Sequence, residues 1–374
     1  MAEAQACAGR VARFRDLMAR MGYDAAIVRN NADLRWLTGS ARTFDDEVAH
    51  TAFVTADGLW LHTDSRYYGI FLDRMGSDTP WQIDEDVIDP AQWAADHTRD
   101  SRSRVVAVED TCDLAFFDAF GAACLADGVE CLTPRMHGFI ADLRMVKDDE
   151  ELSLLQRAQD LTDDAFRHIV EYIKPGLTEQ QVRAELDNYM LTHGADNVSF
   201  ETIIAAGPNG ANPHARPSEY VLREGDMVVM DYGALYHDYH ADMTRTVCVG
   251  KAGEEQRRVY DVVRRTNEEC QAAAHGGVNG LDMQNLAVKI ISDAGYGEYF
   301  GHGLGHGVGL QIHENPGFSR HYDRVVPSGS IVTIEPGIYL PGKFGVRVED
   351  CGVVAEDGYH PFSKIPHDLV EIPC

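Results

Sequence analysis

The chain has 374 residues, of which 44% are hydrophobic and 25% are charged, as is typical of a globular protein. Its net charge of -27 and pI of about 4.8 produce a field that repels phosphate backbones and anionic membranes. Neither nucleic acid nor a membrane is therefore expected as a partner. One core rarely serves a chain of this length, so we expect two domains.

The first 22 residues lack the apolar core of a signal peptide and predict an amphipathic helix. No stretch approaches the roughly 18 apolar residues of a membrane span. The eight cysteines are scattered and form no C-x-x-C pair, a pattern that favours reduced thiols over disulfides or a cysteine metal site. Together these features predict a cytoplasmic protein.

Residues 1 to about 145 alternate between helical and strand patterns. A helical stripe near the start is followed by strand patterns and a helix pattern, at residues 24–28, 52–55, 59–62 and 105–108 for the strands and 114–124 for the helix. No Gly-rich phosphate loop accompanies them. This alternation predicts a mixed sheet covered by helices. We place the domain boundary so that the first domain spans 1–145 and the second 146–374.

The second domain is predicted to open with a long helix after the charged segment 147–151. Apolar residues recur at helical spacing from Leu152 to Ile169. Thr178 and Gln181 form a capping box that starts the next helix. Strand patterns dominate from about residue 200, with further helices predicted near 254–275 and 281–294.

Two aspartates flank a short polar segment in this strand-rich region. Asp231 ends one apolar run, Asp242 precedes another, and Gly233 can start a turn between them. Two antiparallel strands would bring the carboxylates together, and alternation puts Asp242, Thr244 and Thr246 on one face. Taken alone, the pair is more typical of an ordinary turn, because loops are rich in aspartate.

A glycine-rich segment follows, with five glycines in the nine residues 301–309. Glycine lets a backbone approach another group closely. His302, His306 and His313 accompany these glycines, and a neutral imidazole is a common metal ligand. The segment therefore favours a site over three structural histidines.

Two later strand patterns each contain a glutamate. Glu335 closes an apolar strand, and Glu349 shares one face of the next strand with Arg347. An acid among valine and isoleucine residues needs a cation. Four carboxylates and one histidine carry too much negative charge for one divalent ion, so two ions are expected. Oxygen-rich ligation favours Mn²⁺, with Co²⁺, Zn²⁺ and Fe²⁺ as the other candidates.

The order and spacing of these residues resemble the pita-bread metallopeptidases, which include methionine aminopeptidase, Xaa-Pro aminopeptidase and prolidase. The resemblance spans about residues 150 to 365 and includes the flanking motifs D-x-G, A-D-M-T-R-T, G-H-G-V-G, H-E-x-P, I-E-P-G-I-Y and G-V-R-V-E-D. Residues 24–26, Asn31 and 37–39 resemble the creatinase/prolidase-type N-terminal domain, which methionine aminopeptidases usually lack.

The resemblance implies an α+β fold. A C-terminal pita-bread domain, with helices outside a curved antiparallel sheet, would follow a smaller α/β creatinase/prolidase-type N-terminal domain. It also implies a homodimer and two divalent metal ions per chain. By the same resemblance, Asp231 binds one metal, Asp242 and Glu349 bridge both, and His306 and Glu335 bind the second.

Further roles follow from the same resemblance. Glu335 would shuttle a proton as general base and then acid, His214 would contact substrate, and His313 would stabilise the tetrahedral intermediate. Three residues are expected to support the ligands from behind: Arg347, which would pair with a ligand carboxylate, Tyr232 and Arg245.

The histidine at position 302 competes with the one at 306 for the ligand role. The match to G-H-G-V-G favours His306, which leaves His302 as a substrate-binding candidate. Some prolidases carry an arginine directly after H-E-x-P that grips the carboxylate of a dipeptide. Here that position is Gly317, and Arg320 is the nearest arginine and the substitute candidate.

The resemblance therefore predicts an Xaa-Pro aminopeptidase or dipeptidase that acts on small peptides. Two other classes share the fold, since fold alone does not fix function. One is a metal-dependent small-molecule enzyme resembling ectoine hydrolase or a sulfoniopropionate lyase. The other is a binding protein without activity, which the intact ligand set disfavours.

Overall fold

The computed structural model describes residues 2–45 and 47–374, and the side chains from residue 7 onward. Met1, the first residue of the predicted N-terminal helix, lies outside the described residues. The chain divides into two compact units, Met1–Arg144 and Met145–Cys374. Among the described residues, no helix is both long enough and apolar enough to cross a membrane.

The first unit contains one mixed sheet with the strand order β4-β3-β2-β1-β5-β6. Its described strands are β1 (Ala25–Val28), β2 (Thr51–Thr55), β3 (Leu59–His62), β4 (Gln82–Asp84), β5 (Val106–Glu109) and β6 (Arg135–Met136). Its described helices are α1 (Ala2–Met21), α2 (Asn31–Thr38), α3 (Tyr68–Met75), α4 (Pro90–Ser101), α5 (Leu114–Ala126) and α6 (Phe139–Arg144).

The helix–strand alternation predicted for the first unit is present, but the sequence pattern missed α2, α3, β4, α4, β6 and α6. The signal for α4 was nevertheless in the sequence. The Asp89 side chain accepts hydrogen bonds from the backbone N–H groups of Ala91 and Gln92, and Pro90 occupies the first turn. Asp followed by Pro is a typical helix start, because proline has no N–H to leave unsatisfied there.

The second unit begins with a pair of helices, which a group of strands follows. A second helix pair and a second group of strands come after them. The described helices are α7 (Asp149–Tyr172), α8 (Glu179–Thr192), α9 (Glu254–Ala273) and α10 (Gly280–Asp293). The described strands are β7 (Asn197–Val198), β8 (Ile203–Ala206), β9 (Met227–Tyr232), β10 (Ala234–Tyr236), β11 (Tyr239–His240), β12 (Met243–Val249), β13 (Gly305–Gly307), β14 (Glu314–Phe318), β15 (Ser330–Ile334), β16 (Gly337–Leu340), β17 (Phe344–Arg347), β18 (Asp350–Ala355), β19 (Gly358–Pro361) and β20 (Val370–Ile372). The capping box that opens α8 is confirmed, with Thr178 and Gln181 bonded reciprocally.

Two helix pairs each cover one sheet of the second unit. Helices α7 and α8 bury their apolar stripes against the sheet β20-β12-β9-β8. Helices α9 and α10 pack in the same way on the sheet β14-β13-β15-β18-β19. In β9, Val228, Met230 and Tyr232 point into the first helix-covered core, so alternation turns Asp231 to the opposite face. Each sheet therefore has one face left for a site.

The connection between the two aspartates differs from the predicted single turn at Gly233. A small hairpin of β10 and β11 lies between β9 and β12 and turns at His237 and Asp238, whose φ angles are 48° and 70°. Gly233 serves another purpose. A Cβ atom there would lie 1.8 Å from the backbone oxygen of Ala241, so only glycine permits this approach.

Replacing Gly233 with alanine should therefore destabilise the second unit. The added methyl group must push the Ala241 backbone away, and overpacking of this kind costs about 1–3 kcal/mol. Urea unfolding followed by far-ultraviolet circular dichroism measures the change, because all four tryptophans lie in the first unit and fluorescence would not report on the second. Gly301→Ala is the matched control, because a Cβ atom at position 301 meets nothing within 4 Å. Equal midpoints for the two variants would contradict the steric explanation.

Candidate metal centre

Asp231 and Asp242 meet where β9 and β12 pair. The strands are antiparallel, and Asp231 lies opposite Thr244, two residues after Asp242. The two carboxylates are therefore diagonal neighbours across one strand pair. Asp242 is only 4% exposed. Alternation along paired strands thus brings the acids together as the sequence predicted.

His306 lies in β13, at a bulge in its pairing with β14. Its Nε2 atom is 3.4 Å from an Asp242 carboxylate oxygen and 3.5 Å from one of Glu335. Its Nδ1 atom donates to the backbone oxygen of Gly307 at 3.1 Å, which leaves Nε2 as the free lone pair. Burial, followed by the neighbouring His313, lowers the pKa of His306 to about 4, so the ring is neutral near pH 7.

The two glutamates approach from the second sheet. Glu335 directly follows β15, and its backbone N–H donates to the oxygen of Leu304 at 2.8 Å. The strand predicted to contain Glu349 is interrupted, because β17 ends at Arg347 and β18 begins at Asp350. The Glu349 carboxylate instead accepts a 2.6 Å hydrogen bond from the hydroxyl of Thr244. This contact joins the second sheet to the first.

The electrostatics of this cluster demand a positive charge. Burial, reinforced by the neighbouring acids, raises the pKa values of Asp242 and Glu335 well above their usual range and that of Glu349 to about 8. Asp231 has one buried carboxylate oxygen, Oδ1, that accepts no hydrogen bond from any described residue. Buried acids that are this poorly compensated are strained unless a cation joins them.

The donor set fits a divalent metal ion. One atom each from Asp242, His306 and Glu349 lies within 4.8 Å of the others. Glu335 reaches this group through its 3.5 Å contact with His306, and the free oxygen of Asp231 adds a further donor. Carboxylate oxygens with one imidazole suit Mn²⁺, Zn²⁺, Co²⁺ or Fe²⁺. The arrangement can therefore hold metal.

Arg347 makes the contact predicted for it. Its Nη2 atom is 2.5 Å from the second carboxylate oxygen of Asp231, while Nε donates to the hydroxyl of Thr244 at 3.0 Å. Nη1 donates to the hydroxyl of Tyr339 at 2.8 Å. The guanidinium is nearly inaccessible and fixes the orientation of one carboxylate.

The two other supporting residues occupy different positions. Arg245 donates to the backbone oxygen of Glu349 at 2.5 Å and to the Asp350 carboxylate at 2.7 Å. It therefore holds the two residues that the Glu349–Asp350 peptide bond joins. Tyr232 lies on the helix-covered face of β9 and donates to the oxygen of Thr162 at 3.3 Å. Its side chain therefore packs with α7, on the face away from Asp231.

Of the remaining residues predicted from the sequence, some line a cleft of about 740 Å³ and one does not. His214, His302 and His313 line it together with the five acid and imidazole donors. The His313 ring is 4.4 Å from that of His306, and burial lowers its pKa. His302 bonds to the Gly303 oxygen and the Tyr339 hydroxyl through its two nitrogens. Arg320 is not among the lining residues, and its guanidinium donates to the oxygen of Gly301.

Sequence reasoning missed two residues of this region. The buried amide of Asn267 donates to the oxygens of Ile334 at 2.7 Å and Val348 at 3.1 Å, the residues just before the two glutamates. A polar side chain on the apolar stripe of a predicted helix was the available signal. Arg216 lines the cleft with an 84% exposed side chain, 3.6 Å from Glu201, and no pattern pointed to it.

Comparison with protein families gives two matches that cover most of the chain. Residues 10–146 match the creatinase/prolidase N-terminal domain, and residues 153–356 match metallopeptidase family M24. The chain belongs to metallopeptidase family M24. It is therefore a peptidase, and the predicted family, α+β fold class and enzymatic nature are confirmed.

Individual relatives resemble the chain over all or part of its length. An uncharacterised peptidase of Bacillus subtilis, YqhT, is 33% identical over 96% of this chain and 99% of its own. The Xaa-Pro dipeptidase of Pyrococcus furiosus is 40% identical over 62% of this chain and 66% of its own. The solved Xaa-Pro dipeptidase of Bacillus anthracis superposes with a TM-score of 0.90 at 31% identity, covering 98% of this chain and 99% of the other.

The geometry predicts different outcomes for two neighbouring histidines. His306→Ala should lose bound metal because it removes the free Nε2 donor, whereas His302→Ala should keep it because both ring nitrogens already have partners. Inductively coupled plasma mass spectrometry of the dialysed variants measures the metal content. Metal loss from His302→Ala with full retention by His306→Ala would reverse the assignment.

Proposed function

We propose that the protein is a dinuclear-metal Xaa-Pro aminopeptidase or dipeptidase that hydrolyses the bond before proline at the N-terminus of small peptides. One observation carries the proposal: Asp242, His306 and Glu349 converge within 4.8 Å on a cleft large enough for a short peptide. Similarity to proteins named Xaa-Pro dipeptidase over nearly the whole chain supports the substrate class.

Five residues would hold two divalent ions, of which Mn²⁺ is the proposed metal: Asp231, Asp242, His306, Glu335 and Glu349. Two divalent ions held there would polarise the scissile carbonyl and lower the pKa of a bound water. The contact of Arg347 with Asp231 supports a division of labour, in which one oxygen of this carboxylate is fixed by the guanidinium and the other stays free to bind.

The protein's own groups would move the proton and stabilise charge. Glu335, beside His306, would take the proton of the attacking water on its carboxylate and return it to the leaving proline nitrogen. His313 would donate an N–H to the developing oxyanion. Its position on the cleft, 4.4 Å from the His306 ring, supports this role, and an imidazole carries a donor nitrogen in its neutral form too. His214, exposed on the cleft wall, would contact the substrate.

Proline after the scissile bond defines the substrate class because it gives a tertiary amide. That amide has no N–H, so a peptidase that must bind the N–H cannot use it. Here the reacting groups act on the carbonyl and on the proton of water, so the missing N–H costs nothing.

We also propose that the chain forms a cytoplasmic homodimer, and light scattering after size-exclusion chromatography tests the assembly.

A peptide-library digest read by mass spectrometry should show Xaa-Pro cleavage at the first bond only, with internal prolines spared. Chelator should abolish the cleavage and Mn²⁺ should restore it. A digest without Xaa-Pro cleavage in the presence of metal would remove this specificity. Hydrolysis of ectoine-like amides in its place would favour the small-molecule alternative.

Amidating the carboxy terminus of an Xaa-Pro dipeptide should change kcat/KM by less than about tenfold. Gly317 occupies the position of the carboxylate-gripping arginine. Arg216 also lines the cleft, but its guanidinium is mostly exposed and already faces Glu201. Solvent and that acid therefore weaken its attraction for the carboxylate of a dipeptide. Cleavage confined to free-acid dipeptides would instead establish a strict dipeptidase.

His313→Ala should retain its metal while kcat falls by about 10² or more, which is the scale for losing one electrostatic stabiliser. The reason is geometric, since the His313 ring faces the ligand His306 without belonging to the group of converging donors. Steady-state kinetics and metal analysis on one preparation measure both quantities. Loss of metal from this variant would move His313 into the ligand set.

A further inference from the structure

The turn that carries His313 gives its ring little direct support. Residues 308–313 connect β13 with β14, and among the described residues no hydrogen bond holds the His313 side chain. Within the turn, the N–H of Gly309 donates to the oxygen of Gln311 at 3.1 Å, and the N–H of His240 donates to the oxygen of Gly309 at 3.0 Å. The position of the imidazole therefore depends on how firmly the adjoining backbone is held.

The next residue along the chain is part of a buried ion pair. Glu314 Oε1 lies 2.6 Å from the ammonium nitrogen of Lys147, and the two side chains are 2% and 1% exposed. The other carboxylate oxygen, Oε2, accepts from the N–H of Gln311 at 3.3 Å. One carboxylate thus spans the turn from Gln311 to Glu314 and joins it to a buried cation.

The backbone around the carboxylate leaves it no room to move. A Cβ atom at Gly309 would lie 2.5 Å from Glu314 Oε1, so the glycine backbone packs directly on the ion pair. Even a methyl group at position 309 would displace the carboxylate. The turn, the acid and the lysine are therefore packed as one unit.

The lysine itself stands on rigid structure. Its backbone N–H donates to the oxygen of Gly329 at 3.2 Å, and the next residue, Asp148, caps α7 through a capping box with Glu151. The hydroxyl of Tyr239 donates to Glu151 at 2.9 Å. Lys147 is thereby tied to the start of α7 and to the small hairpin beside the cleft.

Stability alone is a weak reason for such a pair. Two buried charges cost desolvation, and apolar or neutral replacements of similar volume often match their stability. The pair does restrict the turn, because the carboxylate that contacts Lys147 also accepts the hydrogen bond from Gln311.

We propose that Lys147 and Glu314 are positioning residues for His313, holding the turn so that its imidazole faces His306 and the cleft. This inference rests on the proposed catalytic role of His313. Glu314 lines the cleft, but its side chain is buried against Lys147, so the effect of both residues is expected to pass through the histidine.

The test removes both charges while keeping side-chain volume. Lys147→Met and Glu314→Gln should each lower the urea midpoint, because each leaves one buried charge without its partner. The double variant should recover a midpoint near that of the wild type. It should nevertheless show kcat reduced at least tenfold, KM within threefold and unchanged metal content.

Two comparisons separate positioning from general damage. In the His313→Ala background, adding the double substitution should reduce kcat no further, because the route through the histidine is already absent. The matched control is the exposed pair Lys343 and Glu255, 2.8 Å apart, changed to Met and Gln in the same way. This control should keep the wild-type midpoint and kcat.

A crystal structure of the double variant supplies a readout independent of activity. The His313 ring should leave its place 4.4 Å from the His306 ring. Wild-type kcat in the stable double variant, an unmoved ring, or an additive loss in the His313→Ala background would each overturn the inference. If the wild type itself cleaved no Xaa-Pro peptide, the proposed function would fail. The ring position in the double variant would still show whether Lys147 and Glu314 hold His313 in place.

Discussion

The crowding of four carboxylates, two buried and two half-buried, around one imidazole is the constraint on which the second unit depends. Burial raises the pKa values of Asp242, Glu335 and Glu349, and the neighbouring acids add to the effect. Only one fixed cation, Arg347, touches a carboxylate of this group among the described residues, and it contacts Asp231 alone. The chain therefore holds a cluster that is unfavourable by itself and becomes favourable once a metal ion neutralises it.

Holding such a cluster requires a framework that does not yield. The two helix-covered cores provide it, because each fixes the register of strands whose opposite faces carry the acids. Hydrogen bonds then set individual residues in place. Asn267 ties together the two chain segments just before Glu335 and Glu349, and Arg245 grips the backbone on the far side of Glu349. The geometry of the site is thus determined largely by groups outside the donor set.

Local patterns drew attention to the acids, and the resemblance to the family's motifs supplied the full set of candidate ligands, including His306. An aspartate at the end of a buried strand and a glutamate inside an apolar strand are costly without a partner. Such conflicts can be recognised from the sequence alone. The long helices α7 to α10 were likewise evident from their apolar periodicity and from the caps at Thr178 and Gln181. Both kinds of signal lie within a few neighbouring residues.

What the sequence did not predict depends on contacts between distant segments or on unusual backbone angles. The hairpin between the aspartates turns at His237 and Asp238 with positive φ angles, where glycine or asparagine is the usual signal. The interruption of the strand at Glu349 follows from its bond to Thr244, more than a hundred positions earlier. The exposure of Arg216 on the cleft wall follows from a loop path that periodicity does not describe.

Strands and loops contribute differently to the cleft, and this affects how the protein can change. The donors lie on strands or directly at their ends, whereas His214, Arg216 and His313 lie on the connecting segments. Loops tolerate substitution and changes of length far better than paired strands do. Residues 212–217 therefore form a part of the cleft wall that can vary with little disturbance to the donors. For protein engineering, this segment is the natural place to graft a different specificity.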